Sequence, residues 1–262
     1  MNNKLLQLYA RNRGRGAFRA EAGANGNEAT IYLYDVIVDS EAEAEWFGGV
    51  APITFIQALQ SAVAAADTVH LRINSPGGSV FGARAMEQAI REARHDARII
   101  AHVDGYAASA ASFMMLAAQD IVMAPGAMVM VHKAWALCMG NADDMLALAA
   151  LLEKLDGTLA DSYAKRTKKD AATCLAWMAE ETWFTAEEAV AAGLADSVAE
   201  DAMVQDRATA WDLSAFAHPP ARAAMPAATP FPEPAAPTAA EQPGRNRADY
   251  ARRQRGIDLI AA

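Results

Sequence analysis

Between residues 30 and 192 the chain alternates strand-like and helix-like runs, and that rhythm leaves few folds open to it. Thr30-Ile31-Tyr32-Leu33-Tyr34-Asp35-Val36-Ile37-Val38 reads as a strand, and Ile53 to Ala66 reads as a helix with Thr54 near its start. From Thr68 to Asn74 every second residue is apolar, until Ser75-Pro76-Gly77-Gly78 turns the chain. A helix over about 81–94, a strand over 98–103 and a helix after Ser109 continue the pattern. Two short strands, 121–123 and 128–132, flank a Pro-Gly turn, and a long Ala/Leu-rich helix covers about Asp143 to Arg166. A final unit holds Trp177, Trp183-Phe184 and a helix from Thr185 to Ala192. Strands alternating with helices predict an α/β fold in which helices cover a largely parallel sheet.

Composition narrows the partners. The 262 residues are 53% hydrophobic, enough for one substantial core. A formal charge of −9 argues against a nucleic-acid partner. Charged residues interrupt every apolar stretch, so no membrane partner is expected, and Met1 to Arg19 lacks the apolar core of an export signal. Cys138 and Cys174 have neither metal-ligand spacing nor a disulfide framework, which predicts a reducing, cytoplasmic setting without metal or cofactor. By composition, residues 1–28 form a flexible basic N-terminal segment and 29–215 the folded domain. Residues 216–244 form a Pro/Ala-rich linker and 245–262 a basic C-terminal tail.

Three local signals fall at strand ends, where α/β proteins concentrate their sites. Gly105-Tyr106-Ala107-Ala108-Ser109 puts a hydroxyl at a strand-to-helix turn among small residues. Asn74-Ser75-Pro76-Gly77-Gly78 can aim backbone N–H groups outward, as an oxyanion hole requires. His132 ends the run Met128-Val129-Met130-Val131. Singly, each has an ordinary alternative: a helix cap, a tight turn and a hydrogen-bonded core histidine. Together and in this order they suggest a serine nucleophile with its base.

These segments, with the closing Trp183-Phe184-Thr185-Ala186-Glu187-Glu188-Ala189-Val190-Ala191-Ala192-Gly193-Leu194-Ala195-Asp196, resemble the Clp protease proteolytic subunit family of serine peptidases. The resemblance runs from about residue 30 to 200 and implies a ClpP/crotonase-like spiral of β-β-α units with a protruding handle helix. Carried over residue by residue, it makes Ser109 the nucleophile and His132 the general base. The backbone N–H groups of Gly78 and Ala110 become the oxyanion hole. The family has an Asp two residues before the aromatic of its closing motif; here Glu181 stands there. Glu180 and Glu181 read equally well as solvated surface charges, and Asp196 is a rival acid. Lys133 is no substitute base, because neighbouring side chains on a strand point to opposite faces.

The resemblance further implies a ring-shaped homo-oligomer acting on a protein substrate. Phe47-Gly48-Gly49-Val50, Gly-Gly-Ser-Val-Phe at 77–81, Glu-Thr-Trp-Phe-Thr at 181–185 and the Pro-rich tail resemble the bacteriophage prohead protease branch. That branch implies ATP-independent cleavage of scaffold or capsid proteins during head maturation, in the host cytoplasm or the assembling prohead. The alternatives are a housekeeping Clp subunit that depends on an ATPase chaperone and a catalytically inactive assembly factor.

Overall fold

The computed structural model describes residues 3–23, 26–200 and 211–220, all inside a unit spanning Met1–Ala228. Its elements run α1 (Lys4–Asn12), β1 (Ala17–Ala22), β2 (Glu28–Tyr34), α2 (Glu41–Phe47), α3 (Pro52–Ala65), β3 (Thr68–Ser75), α4 (Val80–Ala93) and β4 (Arg98–Ala108). There follow α5 (Ala110–Met114), β5 (Asp120–Met123), β6 (Met128–Val131), α6 (Ala142–Thr167), α7 (Ala171–Glu180), β7 (Thr182–Thr185), α8 (Ala186–Ala192) and β8 (Ser197–Val198).

Period-two alternation decides which side of the sheet is covered. Leu33 of β2, Leu71 and Ile73 of β3, and Ile99 and Val103 of β4 are buried. They share one core with Phe55 and Leu59 of α3 and Met86 and Ile90 of α4. Full burial of each such side chain is worth about 1.5–3 kcal/mol, so this layer dominates the favourable side of folding. The intervening Tyr32, His70, Arg72 and His102 stay half-buried on the other face. There Arg72 pairs with Asp104, which also accepts from the Tyr34 hydroxyl at 2.6 Å.

The strand order is β1-β2-β3-β4-β5-β8, with neighbours parallel except for the antiparallel β1–β2 pair. β4 is longer than the expected 98–103. Its first half pairs with β5 and its end, Tyr106 to Ala108, pairs in parallel with β6. β6 in turn pairs antiparallel with β7. This extension pairs β4 with a branch of the same sheet and delivers Ser109 beside the end of β6.

Helix limits follow from local chemistry. Pro52 opens α3, where its missing N–H is harmless. A reciprocal capping box of Asn141 and Asp144 starts α6, and another of Thr185 and Glu188 starts α8. α8 stops at Gly193, whose φ of 82° suits glycine.

Two expectations about the ends are corrected. Within the expected loose segment 1–28, residues 3–23 and 26–28 are structured. The Asn3 side chain accepts from Leu6 N at 2.9 Å to cap α1, Leu8 and Tyr9 are buried, and β1 completes the edge of the sheet against β2. The reason is a second apolar surface, formed by Ala108, Met130, Trp211 and Phe216, against which Leu8 of α1 packs. Nor does 216 begin a free linker: Phe216 is 5% exposed and belongs to that same cluster. The remaining linker, 221–244, and the basic tail, 245–262, lie outside the described residues. Among the described residues no helix is long and apolar enough to cross a membrane, and no group of three or more His, Cys, Asp or Glu is placed to hold a metal ion.

Candidate active site

Ser109 occupies the junction of β4 and α5 with φ 53° and ψ −122°. Those are the angles of the first central position of a type II′ turn, a position dominated by glycine. A non-glycine residue there stores strain, and the surroundings must enforce it. They do so at both peptide groups. Ser109 N donates to Met130 O at 2.9 Å, and Ser109 O accepts from Ser112 N at 2.9 Å and from Ser112 Oγ at 2.7 Å. Because the Ser112 hydroxyl spends its one proton on Ser109 O, the Tyr163 hydroxyl must be the donor in the 2.7 Å contact between them.

The glycine turn lies directly against this serine. A Cβ on Gly77 would stand 2.5 Å from Ala108 O and 2.7 Å from Ser109 Cβ. Gly77 O accepts from Ile37 N and Ser79 N donates to Ile37 O, so the Gly78 peptide groups face away from Ile37. A Cβ on Gly78, at φ 142°, would fall 2.0 Å from Ile37 O. Only glycine at 77 lets this loop approach the turn that carries Ser109 and Ala110, and only glycine at 78 lets it lie against Ile37.

His132, one residue past β6, brings Nε2 to 2.6 Å from Ser109 Oγ. Burial, and secondarily the charge of Lys4, pushes its imidazole down to a pKa of about 3. The ring is therefore neutral near pH 7, with Nε2 free to accept the serine proton once Nδ1 carries the hydrogen. Aromatic rings enclose it: Trp135 at 4.4 Å and Phe216 at 5.6 Å, both edge to face. Lys133 is exposed, as expected for the opposite side of the strand.

Glu181 is not joined to His132. The β6–β7 register ends at Val131↔Thr182, and one further step would set His132 opposite Glu181. The chains remain together beyond the ladder, since Lys133 N donates to Met178 O at 3.1 Å. Yet the carboxylate accepts from Ala217 N at 2.9 Å and from His218 N at 2.7 Å. Two amides of the 211–220 segment thus occupy both oxygens of the expected acid. The rival Asp196 is engaged elsewhere, accepting from Ile121 N at 2.7 Å and from Arg166 at 2.6 Å.

Beside Gly78 an apolar cleft of about 240 Å³ is walled by Phe81, Trp135, Leu137, Leu148, Leu152 and other residues. Sequence reasoning missed Ser112, Tyr163 and Phe216. Ser112 had a faint signal, three residues beyond Ser109 on the same helix. Phe216 had none, because it sits among prolines and alanines.

The Clp protease family profile matches residues 28–202, and this range contains Ser109, His132, Glu181 and the glycine turn. The chain is 29% identical over 138 residues to ATP-dependent Clp protease proteolytic subunit 1 of Leifsonia xyli subsp. xyli, covering 52% of this chain and 69% of that protein. It is 32% identical over 132 residues to ATP-dependent Clp protease proteolytic subunit 2 of Nocardia farcinica, covering 50% of this chain and 64% of that protein. With a match over most of its length, the chain belongs to the Clp protease family and is a peptidase of that type.

Proposed function

We propose that the chain is a serine endopeptidase in which Ser109 attacks the scissile carbonyl and His132 takes its proton. The observation that carries this reading is the 2.6 Å contact between Ser109 Oγ and His132 Nε2 at a strained strand-to-helix turn. The proton passes from Oγ to Nε2 as the C–O bond forms, and then to the leaving amine as the C–N bond breaks. The oxyanion would be received by Gly78 N–H and Ala110 N–H; losing one such donor typically lowers the rate about 10²–10³-fold. Glu181 is the acid nearest in register to His132 and would hold the imidazole in the Nδ1–H tautomer. The apolar cleft beside Gly78 suits an apolar substrate side chain, since its walls offer area and few polar partners.

The narrower reading is ATP-independent cleavage of scaffold or capsid proteins in a bacteriophage prohead by a ring-shaped homo-oligomer with the spiral fold and α6 as its handle. The phage-like motifs at 47–50, 77–81 and 181–185 favour it. Exposed Met145, Leu146 and Leu151 on α6 suit burial against other copies.

A fluorophosphonate probe should label Ser109 covalently in the assembled protein, and Ser109→Ala should abolish labelling and peptide hydrolysis. A folded protein whose Ser109 resists the probe in every condition that permits peptide hydrolysis would overturn the assignment.

A further inference from the structure

The 211–220 segment forms a strap that packs Phe216 against the His132 ring and is fastened to α1. Asn12 Nδ2 donates to Asp212 O at 3.0 Å and Asp212 N donates back to Asn12 Oδ1 at 2.7 Å, a reciprocal pair between α1 and the strap. Arg11 adds a bond to Ser214 and lies 3.8 Å from Asp212. Trp211 Nε1 donates to Asn74 Oδ1 at 3.0 Å, beside the glycine turn. From this anchorage Phe216 reaches the His132 ring, and Ala217 and His218 present their amides to Glu181.

We propose that this strap and α1 form an autoinhibitory clasp, which covers the Ser109–His132 pair, draws the Glu181 carboxylate away from the imidazole, and must open before substrate is cleaved. The inference rests on the serine peptidase reading given above. Three independent features point the same way. Phe216 of the strap stands edge to face against the His132 ring, 5.6 Å between centroids. Both oxygens of the one acid in register with His132 are bonded to strap amides. The Trp183 indole N–H, packed against Phe216 at 5.7 Å between ring centroids, is buried with no acceptor among the described residues, a donor that an incoming peptide carbonyl can satisfy. The closed site is also poorly tuned for base chemistry. Burial, and secondarily the charge of Lys4, makes His132 a far weaker base than one poised near neutrality. Opening the strap frees Glu181 to turn toward Nδ1, where its charge stabilises the imidazolium formed in the reaction. Glu181 is thus a positioning residue in the open state and a latch in the closed one.

The test compares fluorophosphonate labelling rates of Ser109 in three full-length proteins at pH 7. Trp211→Ala/Phe216→Ala loosens the strap and should label at least tenfold faster than the unsubstituted chain. Asn12→Cys/Asp212→Cys, in a Cys138→Ser background, locks it by a disulfide. This protein should label at least tenfold more slowly when oxidised than after reduction. Adding Glu181→Gln to the loosened chain should remove most of the gain and shift the pH–rate profile, and Glu181→Asp should recover part of it. Equal labelling in all forms would overturn the clasp while leaving Ser109 as nucleophile. Labelling in none of them would overturn the nucleophile itself. A gain that survives Glu181→Gln with an unmoved pH profile would overturn the latch.

Discussion

The strained backbone at Ser109 makes a test that separates conformation from chemistry. Replacing Ser109 by Ala or by Gly removes the same hydroxyl and the same 2.6 Å contact with His132, so that loss cancels between the two variants. What differs is the Cβ at φ 53° and ψ −122°. Alanine keeps it, and with it the strain of order 1–3 kcal/mol for a non-glycine residue in so sparse a region. Glycine relieves the strain but loses about 0.4–1 kcal/mol through the greater freedom of its unfolded chain. With mid-range values of about 2 and about 0.7 kcal/mol, the balance favours Ser109→Gly over Ser109→Ala by about 1.3 kcal/mol. For a domain of this size that is a difference in Tm of roughly 3–5 °C, at about 2–4 °C per kcal/mol. Urea and thermal melts of the two variants at equal protein concentration measure it directly. An alanine variant as stable as the glycine variant would refute the strain argument, and with it the view that the turn is held taut for reactivity.

Two further outcomes follow from the site's surroundings. His132 and His102 are both held below the ordinary histidine pKa of 6.5, to about 3 and about 4, chiefly by burial, with Lys4 acting on the first and Arg72 and His70 on the second. The unfolded chain binds these protons first as pH falls, so each group's stability contribution is complete above about pH 6.5 and declines by about 1.4 kcal/mol per pH unit toward its folded pKa. His102→Gln should flatten the dependence of unfolding free energy on pH between 6 and 4.5 by about that slope, measured by urea titration; an unaltered slope would contradict the assignment. Tyr163→Phe removes the donor to Ser112 Oγ while leaving the Ser112 bond to Ser109 O. It should lower stability by about 1 kcal/mol and kcat several-fold with little change in KM, and Ser112→Ala should do more. A change confined to KM would place Tyr163 in substrate binding instead.

The alternation of apolar positions foretold β2, β3, α3, α4 and the long α6, because period two and period 3.6 are properties of the chain itself. β4 outran its expected end because Tyr106 to Ala108 find a pairing partner in β6, a choice made across space. The pairing of Ser109 with His132 was legible in the same local terms: a small-residue turn at one strand end, a histidine at another, and glycines where no Cβ fits. The partner of Glu181 was not. A carboxylate bonds to whichever donors reach it, and those that do come from residues 36 and 37 positions away, in a stretch whose prolines suggested only a linker. Phe216 was hidden for the same reason. Its burial depends on an apolar surface made jointly by α1, β6 and the strap, which exists only once distant parts of the chain have met. Sequence alone therefore determined the α/β framework, through local periodicity, and its ordered motifs pointed to the turn, the serine and the histidine that the fold brings together. Tertiary structure decided what packs against His132 and where Glu181 is held, because long-range competition for hydrogen bonds and apolar surface leaves no local trace.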